Sequence, residues 1–134
     1  MATLTKYKEV RTWGVEPEWV DIKYDFALDT GAVAFYNAIK VKEASVVTQA
    51  KMVVNTTCTS GGSATVSAGK STDVAGLAAA TAVASLTAGA VILGNTYDQS
   101  YVCAADDLLG FDIAVAALTA GAITLSVGIL KLAR

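Results

Sequence analysis

Histidine is absent from this chain, and proline occurs once, at Pro17. Without histidine, Ser-His-Asp and Cys-His catalysis and histidine-based metal sites are excluded. Cysteine is nearly as scarce. Cys58 and Cys103 cannot by themselves make a structural zinc site. They read as two buried free thiols, because the chain is not cysteine-dense and shows no export signal. A disulfide would require that their strands be neighbours, which spacing does not decide. Charge is also thin: 16% of the 134 residues are charged against 54% hydrophobic, and mean hydropathy is +0.50. Yet no window of about 20 residues runs free of polar interruption, so no membrane-spanning helix is expected. Nor do residues Met1 to Val10 show a basic segment followed by an apolar core, so no signal peptide is expected. Such a composition fits a protein that buries much of its surface against copies of itself or partners. A net charge of −2 and a pI of about 4.9 argue against a nucleic-acid binder.

What charge there is lies at the front. Residues 1–51 hold fourteen charged side chains, seven of each sign, and residues 52–134 hold eight. The opening stretch interleaves Lys6, Lys8, Glu9, Arg11 and Glu16 with Tyr7 and Trp13, and Gly14 and Pro17 break any regular element. It reads as an extended arm, residues 1–19, ahead of a single β domain, residues 20–134, large enough for a real core. Aromatics are favoured as interface anchors. Tyr7, Arg11, Trp13 and Trp19 are therefore the expected subunit contacts.

The β reading rests on period-two alternation. Val20, Ile22, Tyr24, Phe26 and Leu28 alternate with polar residues, and Ala44 to Cys58 forms a long strand with one buried side and a bulge or bend. Ser60-Gly61-Gly62 marks a turn, and Ala78 to Ala84 is either a short helical turn or an extended lead-in. One segment occurs twice: Ala82–Leu93 and Ala114–Leu125 agree at nine of twelve positions, with Gly89 and Gly121 equivalent. Alternation on both sides of a glycine-containing break predicts a β-hairpin used twice. Eight or nine short strands without a convincing amphipathic helix give an all-β, single-domain sandwich or jelly roll.

Chemical motifs are few. Gly69-Lys70-Ser71 ends like a phosphate loop, but position 64, where the first glycine would fall, is Ala64, and no helix follows. Asn55-Thr56-Thr57 is a formal glycosylation sequon without meaning unless exported. Asp73, Asp98, Asp106 and Asp107 read as turn-capping residues, because a calcium site needs six or more converging oxygens.

Residues 64–132 carry three further features: a valine-rich strand at Ala64–Ala68, a loop ending in Gly-Leu at Asp73–Leu77, and an Ala-Leu-Thr-Ala-Gly turn at Ala117–Gly121 before a final strand. On these residues the chain resembles a family of small structural proteins of tailed bacteriophages. The family's last strand often ends in a charged, aromatic segment, whereas here it runs Gly128 to Leu132. The resemblance implies a non-enzymatic jelly-roll protein that decorates or cements the head. It would bind between major capsid subunits at the outer surface of the virion and to copies of itself, with a trimer at a local threefold position. No cofactor, nucleic acid or membrane is implied. The alternative is a tail or fibre component with a receptor- or carbohydrate-binding face, for which Tyr97, Tyr101 and Trp19 are the stacking candidates. A small jelly-roll enzyme is disfavoured by the missing histidines and scattered carboxylates.

Overall fold

The computed structural model describes residues 18–94 and 101–131. In chain order these form β1 (Glu18–Asp25), a single helical turn α1 (Phe26–Asp29), β2 (Ala34–Lys40), β3 (Ser45–Ser60), β4 (Thr65–Lys70) and β5 (Asp73–Ala82). A 3-10 turn (Val83–Ser85), β6 (Val91–Leu93), β7 (Val102–Cys103), β8 (Leu108–Ala114) and β9 (Leu118–Lys131) follow. The strands make two antiparallel sheets. One is ordered β1-β9-β3-β6, with β7 sharing β6's edge of β3; the other is ordered β2-β8-β4-β5.

The pairing is nested. β4 pairs with β5, β3 with β6 and β7, β2 with β8, and β1 with β9. A long antiparallel ribbon has been rolled so that alternate layers fall in opposite sheets, which is the jelly-roll arrangement. The all-β sandwich or jelly roll expected from the alternation is therefore the fold. Its core lies between the sheets, where Met52, Leu77, Leu109, Phe111, Ile113, Ile123, Leu125 and Val127 are buried. Among the described residues no helix is long and apolar enough to cross a membrane.

The duplicated segment is not a hairpin. β5 and β8 belong to one sheet and β6 and β9 to the other, so each copy carries the chain across the core from sheet to sheet. Local alternation cannot distinguish the two cases, because a hairpin and a corner share the pattern strand, break, strand. What the copies have in common is the crossing. Leu86 and Leu118 are equivalent residues, and both are buried where the chain passes between layers. Leu86 accepts a backbone bond from Cys58, and Leu118 pairs with Ser60, so the two crossings grip the same end of β3 from opposite edges. The break in the second copy also falls earlier than Leu118–Gly121: the corner is at residues 115–117, and Gly121 lies within β9. Gly121 has φ +136, and a Cβ there would come 2.5 Å from Cys58 Sγ, so only glycine lets β9 close on β3.

The copies then diverge in facing. β6 pairs Val53 with Val91, whereas β9 pairs Val53 with Thr124 and Val54 with Ile123. A one-residue offset exchanges the two faces of a strand. Ile123 and Leu125 accordingly point into the core, while Val91 and Leu93 point out and Ile92 packs inward. That accounts for isoleucine at 92 where the other copy has Thr124.

Two further expectations shift. The alternation from Val20 stops at Asp25, not Leu28, because the Asp25 carboxylate accepts a bond from the Ala27 amide and caps α1. Ala78 to Ala82 is strand, followed by the 3-10 turn. The first strand takes in Glu18 and Trp19, which pair with Ile129 and Gly128.

Truncating either crossing leucine empties a site closed on all sides. Leu86→Ala and Leu118→Ala should each cost about 2–5 kcal/mol in denaturant unfolding, with no change of fold by circular dichroism.

Candidate functional site

The ion pairs among the described residues gather at one end of the sandwich, where β1 begins, β9 ends and the β4–β5 turn lies. Lys40–Asp106 (3.7 Å), Lys70–Asp107 (3.8 Å) and Lys131–Glu43 (3.2 Å) are ion pairs there. Lys70 is the most enclosed of these cations. Its ammonium donates to the Val102 carbonyl at 3.0 Å, pairs with Asp107 and stands 5.1 Å from the centre of the Tyr101 ring. The Tyr101 hydroxyl in turn accepts from the Lys70 amide at 3.1 Å, and Asp107 accepts from the Ala104 amide at 2.8 Å. The cluster bolts the 101–107 loop to the β4–β5 turn.

This settles several candidate residues. Gly69-Lys70-Ser71 is a strand end and turn whose lysine is engaged by protein groups, with no helix to receive phosphate. Asp106 and Asp107 serve different lysines, Asp73 begins β5, and no three acidic, cysteine or histidine groups converge on a metal position among the described residues. Asp98 lies outside the described residues. In the sequon, Asn55 accepts from the Thr124 hydroxyl at 2.6 Å and Thr57 from the Ala88 amide at 2.9 Å, so both side chains brace β3.

The stacking candidates do not form a platform. Tyr101 packs inward against Gly76 and Lys70, whereas Trp19 lies on the outer face of the other sheet, its ring over Gly128, 53% exposed. Tyr97 lies outside the described residues, as do Tyr7, Arg11 and Trp13. A cleft of about 240 Å³ opens between the sheet edges at β1 and β2, lined by Tyr24, Tyr36, Phe111, Phe35, Asn37 and Asp29. Its tyrosines are committed: Tyr24 donates to the Thr30 carbonyl, and Tyr36 donates to the Ala32 carbonyl at 2.6 Å. The Tyr24 and Tyr36 rings meet edge to face at 5.5 Å.

The resolved shifts among the described residues all favour the neutral form. Burial pushes the Tyr24 hydroxyl up, with Tyr36 adding to it. Burial likewise pushes up both thiols, against a bond from the Ala122 backbone at Cys58 and against Lys70 at Cys103. All three are held in their neutral forms. The cysteines are free and sit at opposite ends of β3: Cys103 pairs with Ser45, about 40 Å from Cys58 at the rise of an extended strand.

Among the described residues the exposed large apolar side chains fall in two places. On the outer face of the β1-β9-β3-β6 sheet are Trp19, Val91, Leu93 and Val102; at the end remote from the ion pairs are Leu28, Val33 and Val115. Of these, only Trp19 is marked by its residue type as a contact residue. The others were hidden because valine and leucine in alternation read as core.

Comparison with known proteins places the fold. No family model matches the chain, and no curated protein does. Among solved structures it is similar to a chain of the capsid of Ralstonia phage GP4, at 16% identity and a TM-score of 0.60 over 95% of this chain and 93% of that one. It is also similar to a chain of the cyanophage Pam1 capsid asymmetric unit, at 13% identity and a TM-score of 0.58 over 97% and 94%. The whole jelly roll, not a fragment of it, is shared with these phage capsid chains.

Two measurements follow. A thiol reagent should label neither cysteine in the native protein and both in denaturant. Raised folded-state values also mean that the unfolded chain releases these protons first as pH climbs past the ordinary thiol value of 9.0. Stability should therefore be full below pH 9 and decline above it. Separately, Lys70→Met should cost about 2 kcal/mol, because it strands the Asp107 carboxylate and removes a charged hydrogen bond.

Proposed function

We propose that this chain is a non-enzymatic structural component of a tailed-bacteriophage head, one that binds between major capsid subunits at the outer surface and stabilises the shell. The observation that carries the reading is the end-to-end likeness to two phage capsid chains. Fold alone does not determine role, since jelly rolls host many. Three features of this molecule support a role in assembly. Its described ionisable groups with resolved shifts are held neutral. Its exposed large apolar side chains among the described residues, such as Trp19, Val91 and Leu93, are presented on the surface. Its sequence carries a charged, aromatic segment ahead of β1.

In this reading the anchors are Tyr7, Arg11 and Trp13 from that segment together with Trp19. Trp19 is well placed, presented on a strand rather than a loop and supported by Gly128. Copies associate with one another, a trimer at a local threefold position, and with the major capsid protein. Small binding energies repeated over many symmetric positions sum to a large stabilisation of the shell.

The test is co-sedimentation of purified protein with heads that lack it, and separately with tails. The expected result is saturable binding to heads at a fixed ratio to the major shell protein; binding to tails alone, or to neither, overturns the reading. Removing residues 1–17 stops short of β1 and should leave the melting temperature unchanged while weakening head binding. Failure of that truncated chain to fold would refute the arm as a separable contact.

A further inference from the structure

Charge divides the two flanks of the sandwich. β1 and β2 are the outermost strands of their sheets on one flank, and β5 and β6 on the other. The chain from Val74 to Leu93, which makes β5, the crossing and β6, holds no charged residue. On the first flank β1, α1, β2 and the neighbouring β8 hold five carboxylates, Glu18, Asp21, Asp25, Asp29 and Asp112, against two lysines, Lys23 and Lys40. Lys40 is already paired with Asp106. The rest of the described charge balances, with Lys42, Lys51, Lys70 and Lys131 against Glu43, Asp73, Asp106 and Asp107. The negative surplus of the described residues therefore lies on the β1–β2 flank. Its complement is in the same chain. Residues 1–13, ahead of β1, carry Lys6, Lys8 and Arg11 against Glu9.

The same flank is open. Between β1 and β2 the sheets part into the cleft of about 240 Å³, floored by Tyr24, Tyr36 and Phe111 and rimmed by Lys23, Asp29 and Asn37. Pockets for small molecules start at about 300 Å³. This cleft instead suits a single large side chain, and its ring-lined floor favours an aromatic one. The Tyr24 and Tyr36 rings already meet edge to face, and a third ring extends that packing. Lys23 is the one cation of the rim, beside Asp29, and the remaining charges of β1 are Glu18, Asp21 and Asp25.

We infer that this flank receives residues 1–13 of a neighbouring copy, with Tyr7 in the cleft and Lys6, Lys8 and Arg11 among the carboxylates of β1 and α1. The inference rests on the proposed association of copies and names the contact that makes it. Length permits it. Eleven residues, Tyr7 to Pro17, precede Glu18 and span roughly 36 Å when extended, against roughly 26 Å for the eight residues of β1. Tyr7 can thus stand further from its own root than β1 is long. Trp13, five residues from Glu18, reaches only about 17 Å and stays near its own body. Donor and acceptor are different surfaces, so each copy gives an arm to one neighbour and takes an arm from another. Head-to-tail contacts of this kind close into a ring, which is what a trimer at a threefold position requires. Two copies meeting β1 to β1 would instead oppose two net-negative edges.

The experiment is a cross-link in the full chain. Tyr7→Cys is combined with Asn37→Cys on the cleft rim and, separately, with Val91→Cys on the exposed face of β6 as a control; the native Cys58 and Cys103 are buried. Mild oxidation should give disulfide-linked multimers from the first pair and only monomers from the control. A disulfide closed within one chain overturns the inference, because the arm then covers its own cleft, and so does the absence of any cross-link. Sedimentation velocity tests the charge. The wild type should self-associate, less so at high salt, and Tyr7→Ala should weaken association roughly tenfold or more. Lys6→Glu, Lys8→Glu and Arg11→Glu together should abolish it, as should Glu18→Lys with Asp21→Lys. Combining the two sets should restore it, which a folding defect in either set cannot do. No restoration, with every chain folded by circular dichroism, overturns the inference. If the wild type stays monomeric yet co-sediments with heads, the inference is wrong and the proposed function stands. If copies associate through the arm but bind no heads, the inference holds and the head role fails.

Discussion

β3 and β9 are aligned through twelve residue partners, from Ser45 opposite Lys131 to Ser60 opposite Leu118. Every other element is placed by reference to that ladder. β1 adds to the far edge of β9, β6 and β7 add to the far edge of β3, and the inward faces of the pair supply Val47, Met52, Val54, Ile123, Leu125 and Val127 to the core. Its bulges at Thr48 and between Val54 and Ser60 let a sixteen-residue strand curve with the sandwich instead of splaying from it. Thr48 fastens the first of them by donating to the Gly128 carbonyl at 3.1 Å.

The duplicated segment is best understood as a device for entering this ladder. Both copies arrive from the other sheet, drop a leucine into the core, carry a positive-φ glycine (Gly89 ahead of β6, Gly121 within β9) and run along β3, one on each side. The chemistry of the crossing is retained, Leu-Thr-Ala-Gly in both, while the residues beyond it are adjusted to which face each strand presents. The consequence for the surface is that two chemically similar corners, together with α1, make one end of the molecule almost free of charge. At the other end lysines and aspartates hold the loops by ion pairs.

Much of the fold could be read from alternation, since the long strand through Ala50, Met52 and Val54 and the first strand through Ile22 and Tyr24 follow period two wherever one face is buried, and only the bulge at Thr48, which brings Val47 and not Val46 to the core, breaks it. The duplicated glycines and leucines were visible too. Which strands they joined was not, because a hairpin and a corner differ only in the partner of the second strand, and partnership is settled by contacts far away in sequence. One local clue was available: Ile92 against Thr124 signals opposite facing and argues against two equivalent hairpins. The site was less legible. Tyr101 looked like an exposed aromatic, but its ring is taken by Lys70, and Val115 looked like a strand residue because no sequence pattern shows that it centres a γ-turn, closed by the Ala116 amide on the Ala114 carbonyl. Trp19 could be picked out by residue type, and its ring stands over Gly128.

The nested ribbon carries a cost in time. Its outermost ladder joins β1 to β9, where Asp21 accepts from the Ser126 hydroxyl across 105 residues of chain. Closure of so distant a pair contributes little until most of the inner ribbon is in place, so the molecule should fold slowly for its size. The same feature works in reverse. To open, it must release ladders that lock one another, and fraying one edge does not free the next. Persistence is then governed by the height of the unfolding barrier more than by the depth of the native well.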